Sequence, residues 1–186
     1  MINLFSREMF GTKSAKNIRA KDMVPVVIYS KSNQECANMS YKDAKTLLTT
    51  PNFMISKVDV ALDDKPYKVL IKDVQYHPLT GKPLHIDLFV IEPDQKIRVT
   101  LPIAFKNKQL CPGMKLGGIL NVLTKGIKSV VSSNNIPEAV TFDLAQSNIG
   151  DAIRLKDLNI PSDVQVLSFT ANTTLATIIS PSKPKE

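Results

Sequence analysis

Two side chains with strong hydrogen-bonding chemistry, His85 and Asp87, are separated by one apolar residue, Ile86. Residues 84–91 predict a β-strand, in which residues two apart project from the same face. We therefore expect His85 and Asp87 to lie side by side while Ile86 points into the core. The carboxylate can position the imidazole, and either side chain can hydrogen-bond a base edge or a 2′-hydroxyl. The alternative is a surface pair that satisfies itself and binds nothing.

An enzyme that uses this pair is the weakest hypothesis. His77 and His85 are the only histidines, and Asp73 and Asp87 are the carboxylates near them that could complete a site. The sequence has no P-loop, no Gly-x-Gly-x-x-Gly, no Gly-x-Ser-x-Gly and no His-Glu-x-x-His motif. A histidine before a proline, as at His77, is more typical of a turn than of a ligand. We predict no catalytic activity, no metal site and no cofactor.

A basic segment lies near the beginning of the sequence. The formal net charge of +7 and the pI of about 9.4 favour a polyanionic partner, either nucleic acid or an anionic membrane face. Between residues 7 and 21 only Glu8 opposes five cations: Arg7, Lys13, Lys16, Arg19 and Lys21. This polar stretch predicts an irregular loop, with at most a short helical piece around residues 15–20. Such a loop can follow a phosphate backbone, or it can be an ordinary solvated loop.

A second basic run extends from residue 96 to residue 128 and contains no acidic residue. Its cations are Lys96, Arg98, Lys106, Lys108, Lys115, Lys125 and Lys128. The run indicates a surface for a polyanion or an acidic partner. Equally, it could be a sheet face whose lysines protect edge strands from pairing.

The elements that must position these residues are mostly short strands. Before residue 92 we predict strands at 2–8, 24–29, 35–39, 53–62, 66–74 and 84–91. A helix after Ser40 is predicted to be capped by that serine, and a hairpin turn is predicted at Asp63-Asp64-Lys65. Together these elements predict a β-barrel.

A second, β-rich domain is predicted after the boundary at Glu92-Pro93-Asp94. We predict strands at 96–105, 119–133, 139–144, 151–156, 164–169 and 174–180, which would form a sandwich-like or open sheet without a second convincing helix. Residues 111–118 predict a glycine-rich turn. The predicted domains are therefore residues 1–92 and 93–180, followed by a disordered tail at 181–186.

The two cysteines, Cys36 and Cys111, match neither a zinc motif nor a redox pair. The N-terminus lacks the apolar region of a signal peptide, and no apolar run approaches the roughly 20 residues that span a bilayer. We expect a reduced cytoplasmic protein with two free, packed thiols.

The sequence resembles one known family over nearly its whole length. The stretch from Lys72 to Leu88, KDVQYHPLTGKPLHIDL, closely resembles a motif of the bacterial large-subunit ribosomal protein family that binds 5S ribosomal RNA. The earlier spacing of Arg7, Gly11, Arg19 and residues 24–29 resembles the same family. Residues 113–118, 136–137 and 149–151 resemble the extra domain of its long form, the general stress protein Ctc type.

The resemblance implies a fold and a function. The first domain would be a β-barrel similar to the anticodon-binding domain of glutaminyl-tRNA synthetase. The protein would be a structural constituent of the large ribosomal subunit that binds 5S rRNA, with no membrane or small-molecule partner. The RNA-binding positions implied here are Arg7, Lys16, Arg19, Tyr29, Lys72, His85 and Asp87. The alternative function is a stress-related protein-interaction module acting off the ribosome.

The N-terminal segment departs from the usual pattern of the family, which is richer in glycine and arginine. Thr12, Ser14 and Asn17 stand where glycine or basic residues are common, and Lys16 stands in place of arginine. Lysine does not reproduce the bidentate phosphate contact of arginine. We therefore expect this segment to supply a mostly electrostatic hold, while Tyr29, His85 and Asp87 supply more of the specificity.

Overall fold

The computed structural model describes residues 2–7, 11–30 and 33–180, and it is mainly β with few helices. The chain divides into two compact units, Met1–Gln95 and Lys96–Glu186. The predicted fold class is confirmed. The predicted tail at 181–186 lies outside the described residues.

The first unit is a closed six-stranded barrel, as predicted. Its strands are β1 (Ile2–Ser6), β2 (Met23–Tyr29), β3 (Gln34–Ser40), β4 (Val58–Leu62), β5 (Lys65–Tyr76) and β6 (Pro83–Val90), and its helices are α1 (Thr12–Ala20) and α2 (Tyr41–Thr49). The strand order is β1-β3-β2-β6-β5-β4, and the parallel pairing of β1 with β4 closes the barrel. Alternate apolar residues fill the interior, which is why Val26, Ile86 and Leu88 are almost completely buried.

The hairpin between β4 and β5 forms where the sequence predicts it. Leu62 pairs with Lys65, so the turn has two residues, Asp63 and Asp64. Their φ angles are 45° and 68°, and positive values at both positions are those of a type I′ turn, which matches the twist of the flanking strands. Lys65 belongs to β5 rather than to the turn.

The basic segment is more regular than predicted, because residues 12–20 form the complete helix α1 rather than a loop. Ala15 and Ile18 are half-buried, and the helix packs against β2. A nine-residue helix is marginal in isolation, so contact with the barrel stabilises a conformation that the polar sequence does not favour by itself.

Two further details of the first unit differ from prediction. The strand predicted to begin at residue 53 begins at Val58, because Asn52 adopts a φ of 54° and its carbonyl accepts the N–H groups of Ile55 and Ser56. The residue before α2 is Ser40, as predicted, but the described residues contain no side-chain capping hydrogen bond there. Instead, Ser40 ends β3.

The second unit is β-rich, as predicted. Its elements are β7 (Lys96–Lys106), α3 (Pro112–Lys115), β8 (Ile119–Val122), β9 (Gly126–Ser132), β10 (Val140–Asp143), β11 (Ala152–Arg154), β12 (Gln165–Val166) and β13 (Thr174–Ile179). They form one sheet of order β10-β7-β9-β12 and a second of order β11-β13-β8. One buried cluster joins Cys111 and Leu144 to side chains of β11 and β13.

The predicted glycine-rich turn at 111–118 contains the short helix α3. Gly113 lies in this helix, and a Cβ on it would approach the backbone carbon of Asn148 to 2.7 Å and the backbone nitrogen of Ile149 to 2.8 Å. A residue without a side chain therefore permits α3 to contact this loop, so the glycines indicate close packing as well as a turn. The strand predicted over 119–133 is divided into β8 and β9.

Within the described part of the second unit, every basic side chain is exposed. Lys128 lies on β9, which pairs with β7 on one side and β12 on the other, so it does not protect an edge. Lys96 and Arg98 lie where β7 pairs with β9 alone, because β10 joins only from Ile103 onward. For Lys96 and Arg98, therefore, both interpretations stay open: a surface for a polyanion or an acidic partner, and protection of an edge strand.

Candidate nucleic-acid interface

An open groove of about 620 Å³ lies on the outside of the barrel. It is formed by the end of β2, the beginning of β3 and the facing parts of β5 and β6. Its lining combines hydrogen-bonding side chains with one apolar residue: Val27, Tyr29, Ser30, Asn33, Gln34, Gln75, His85 and Asp87. Three of the seven predicted RNA-binding residues, Tyr29, His85 and Asp87, therefore meet in one place.

The predicted geometry of His85 and Asp87 is confirmed. His85 Nδ1 lies 2.8 Å from Asp87 Oδ1, and the side chains are 25% and 35% exposed, whereas Ile86 is completely buried. When Nδ1 donates to the carboxylate, a neutral imidazole presents Nε2 as an acceptor. The pair is thus held in one arrangement and still has Nε2 and Oδ2 to offer a ligand.

A β-bulge at Lys72 aligns β5 with this pair. Ile71 pairs with Leu88 and Asp73 pairs with Asp87, so Lys72 is an extra residue on β5. An extra residue reverses the alternation of the strand beyond it. For this reason Asp73 and Gln75 lie outside the barrel, opposite Asp87 and His85, while Val74 is buried.

Tyr29 forms another wall of the groove. It pairs with Phe89 of β6, and the two rings meet edge to face, with centroids 5.5 Å apart. Burial raises the pKa of the Tyr29 phenol, and the nearby carboxylates of Asp87 and Asp73 raise it further. The hydroxyl therefore stays protonated at neutral pH and can donate a hydrogen bond or accept one.

The other four predicted residues are not among those that line the groove. Lys16 and Arg19 lie on α1, and both are exposed. The Arg19 guanidinium donates from Nε and Nη2 to the carbonyl of Leu84, which immediately precedes His85. The backbone N–H of Arg7 donates to the carbonyl of Cys36 at 3.0 Å and so extends the pairing of β1 with β3.

Several groove residues have no clear signal in the sequence. Gln34 and Gln75 are polar residues on strands, and their sequence positions alone place them on no particular face. The bulge at Lys72 decides where Gln75 points, and a bulge is defined only by the pairing of two strands. Ser30 and Asn33 flank residues 31 and 32, which lie outside the described part of the chain.

The described residues contain no group of three or more His, Cys, Asp or Glu side chains that could hold a metal ion. Within the same residues no helix has both the length and the apolar character that crossing a membrane requires. Cys36 is half-buried and Cys111 is buried, and both are free thiols.

Comparisons with known proteins match both halves of the chain. Residues 2–88 match the Ribosomal L25p family, and residues 96–182 match the model described as Ribosomal protein TL5, C-terminal domain. A large ribosomal subunit protein bL25 of Bartonella henselae is 34% identical over 94% of this chain and 85% of the relative. The protein of the same name from Rhizorhabdus wittichii is 34% identical over 97% of this chain and 87% of the relative. The protein of the same name from Anaplasma phagocytophilum is 32% identical over 94% of this chain and 83% of the relative.

Proposed function

Because the chain belongs to the Ribosomal L25p family, we propose that it is a structural component of the large ribosomal subunit and binds 5S ribosomal RNA. The observation that supports RNA binding best is the groove in which Tyr29, His85 and Asp87 meet beside the basic helix α1. The family is structural rather than enzymatic. We place the protein in the cytoplasm, on the ribosome.

The groove has the chemistry to read the edge of an A-form helix. The wide minor groove of such a helix displays 2′-hydroxyls and base edges. An ionised carboxylate such as that of Asp87 accepts hydrogen bonds only, so it pairs with a 2′-hydroxyl or with the amino group of guanine. His85 Nε2 adds a hydrogen-bond acceptor, and the Tyr29 hydroxyl adds a group that can either donate or accept. The rigid placement of these groups favours one RNA shape over others.

The cations around the groove would contact phosphates. Lys13 and Lys16 are exposed on α1 and lie three residues apart, so they are neighbours on the helix surface. Lys72 is exposed at the bulge, next to the strand segment that faces Asp87. With Arg7, these residues would supply an electrostatic hold that is independent of sequence, while the groove supplies discrimination.

The second unit makes this chain a long form of the family, because it matches the TL5 C-terminal domain. We propose residues 1–92 as the RNA-binding domain and 93–180 as the second domain. The exposed cations at 96–128 support a polyanionic or acidic partner for the second domain.

Binding to 5S rRNA can be tested by gel shift with the purified full-length chain. We expect 5S rRNA to bind more tightly than an unrelated folded RNA of similar length, and we expect affinity to fall steeply between two salt concentrations. Each phosphate that the protein neutralises releases counterions, which makes the slope of log K against log salt more negative by roughly 0.7–0.9. Equal affinity for the two RNAs would argue against the proposal.

The alternative function, a stress-related protein-interaction module, predicts a different location. Sucrose-gradient fractionation of lysed cells separates ribosome-bound from free protein. Co-sedimentation with large subunits, retained when low magnesium separates them from small subunits, supports the ribosomal role. Protein confined to the top of the gradient, both in growing and in stressed cells, supports the alternative.

A further inference from the structure

One edge strand of the second unit, β8, has an open side. The strand order β11-β13-β8 gives it a single neighbour, β13, and no strand in the described part of the chain pairs with its other side. Its residues, Ile119 to Val122, keep a regular register with β13. The open side of such a strand presents backbone N–H and C=O groups that another strand can bind.

Two residues of β8 direct their backbone groups to the open side. The N–H of Leu123, just after β8, donates to the carbonyl of Leu175 at 2.9 Å, so this residue bonds to β13. Residues of an antiparallel strand bond to alternate sides, which turns the N–H and C=O groups of Leu120 and Val122 away from β13. Ile178, which lies opposite Leu120, fits this pattern because it bonds to the chain that leads into β11. β8 therefore offers two donors and two acceptors to an added strand.

The other described edges of the second unit are protected. β10 carries Asp143 and is covered in part by a bridge from Asn159, and the uncovered part of β7 carries Lys96 and Arg98. β11 carries Arg154 at a shift in its register with β13, and β12 has only two residues. Charges, irregular register and short length prevent pairing with another chain. β8 has four residues without a charge, a proline or a register shift, so it is the described edge best suited to strand addition.

Exposed apolar side chains surround β8. Leu116, Ile119 and Leu123 are each more than half exposed. Ile179 of β13, which pairs with Ile119, is also exposed. The alternate residues of β8 pack instead against the buried cluster of the unit. An added strand would therefore cover apolar surface as well as backbone groups.

The charge near β8 is positive. Lys115 ends α3 just before the strand, Lys125 follows it, and both are exposed. No acidic residue occurs from residue 96 to residue 128, and residues 96–180 contain nine basic and five acidic residues. A second copy of this chain would bring the same cations together, so the charge disfavours pairing of β8 with itself. An acidic segment is the complementary partner.

We propose that β8 binds an extended acidic segment of another protein, which adds to the sheet as a strand. The backbone groups of Leu120 and Val122 bond the segment, and Lys115 and Lys125 attract its carboxylates. A strand edge alternates donors and acceptors, which a peptide backbone matches, whereas phosphates accept hydrogen bonds only. A protein segment is therefore a better match than an RNA backbone. The inference does not depend on the proposed binding of 5S rRNA.

The test titrates the full-length protein with two synthetic peptides and follows its amide signals by NMR. One peptide alternates valine with glutamate over about six residues, a common strand length, and the other alternates valine with lysine. We expect the glutamate peptide to shift the signals of residues 119–123 and to slow amide exchange at Leu120 and Val122 several-fold, because those N–H groups become bonded. No change with the glutamate peptide at millimolar concentration, or an equal change with the lysine peptide, would overturn the proposal.

Asn121→Glu and Asn121→Lys are a matched pair of variants, because Asn121 is exposed and only the sign of the added charge differs. We expect the glutamate peptide to bind Asn121→Glu roughly two- to fivefold more weakly than Asn121→Lys, as for a surface charge pair. Slow amide exchange at Leu123 verifies that β8 still pairs with β13 in each variant. Equal affinities in the pair would contradict the proposal.

Val122→Pro tests the backbone contact separately. It removes one outward N–H, which proline permits on an edge strand, and should weaken binding of the glutamate peptide about three- to tenfold, the effect of one lost hydrogen bond. Wild-type affinity in this variant would mean that the peptide does not add as a strand. The Asn121 pair tests the proposal independently of the proline.

Two other occupants of the edge give different results. Signals of β8 that depend on protein concentration without peptide, together with a dimer in sedimentation equilibrium, would assign the edge to a second copy of the chain. A short RNA duplex that shifts the same signals at lower concentration than the glutamate peptide would assign it to nucleic acid. Either result would overturn the proposal.

Discussion

Asp73 lies directly opposite Asp87 in the antiparallel pairing of β5 with β6, so two carboxylates face outward side by side at the groove. Both contribute, after burial, to the raised pKa of Tyr29. An acidic centre repels phosphate and accepts hydrogen bonds from amino and hydroxyl groups. The cations of α1 and Lys72 are therefore the groups suited to the RNA backbone, and the groove is suited to base edges and 2′-hydroxyls.

Asp87→Ala should weaken binding to 5S rRNA by about ten- to hundredfold, because truncation removes a charge-assisted acceptor and leaves His85 without its partner. Isothermal titration calorimetry at fixed salt measures the change. Asp59→Ala is a matched control, since Asp59 is an exposed carboxylate on β4, outside the lining of the groove. Equal losses in the two variants would mean that general charge rather than the groove determines affinity.

Asp87→Asn should lower the pKa of Tyr29 towards its ordinary value of 10.0, but not fully, because burial is the largest cause of the shift and is retained. Absorbance titration at 295 nm of each protein, minus that of its Tyr29→Phe counterpart, isolates this phenol. Since the folded pKa exceeds the unfolded one, the contribution of Tyr29 to stability is complete below pH 10 and is lost as pH rises through the folded pKa. This loss should be smaller in Asp87→Asn, and an identical titration in the two proteins would contradict the described geometry.

The sequence predicts those parts of the fold that depend on local periodicity. The shared face of His85 and Asp87 follows from the two-residue repeat of a strand, and the turn at Asp63-Asp64 follows from residues that tolerate positive φ. The helix α1 could not be predicted in full, because contact with β2 stabilises it against its own polar sequence. The outward direction of Gln75 depends on the bulge at Lys72, which is defined only by the pairing of β5 with β6.

Lys72→Gln should reduce the salt dependence of 5S rRNA binding by roughly 0.7–0.9 in the slope of log K against log salt, as expected for one lost phosphate contact. Lys65→Gln is the control, because Lys65 is an exposed lysine at the other end of β5, seven residues from the bulge. Fluorescence anisotropy with labelled RNA at four salt concentrations gives both slopes. If the slopes of the two variants coincide, Lys72 does not contact a phosphate of the RNA.

The pKa of Asp143 in the second unit should rise towards 3.8 in Asn107→Gly. The backbone N–H of Ala145 is the largest cause of its lowered pKa, and the Asn107 amide, 2.9 Å from both carboxylate oxygens, is the next. Asn107 has a φ of 57°, which glycine adopts without strain, so the substitution removes the amide and keeps the backbone. Because the folded pKa lies below the unfolded one, the stabilisation is present above pH 3.8 and is lost as pH falls through the folded pKa. NMR titration of the Asp143 side chain checks the shift, and an unchanged value in the variant would show that the amide has no effect in solution.

Gly113→Ala should destabilise the second unit by about 1–3 kcal/mol, the usual cost of forcing atoms into packed space. The added Cβ would lie 2.7 Å from the backbone carbon of Asn148, and backbone atoms cannot rotate away as a side chain can. Gly150→Ala separates this clash from backbone strain, because Gly150 has a φ of 94° but nothing within 4 Å of its added Cβ. Urea unfolding, followed by NMR signals of the second unit, gives both free energies. Strain costs roughly 1–2 kcal/mol and applies to Gly150→Ala alone, so an effect of Gly113→Ala near zero would show that α3 moves away from the loop at no cost.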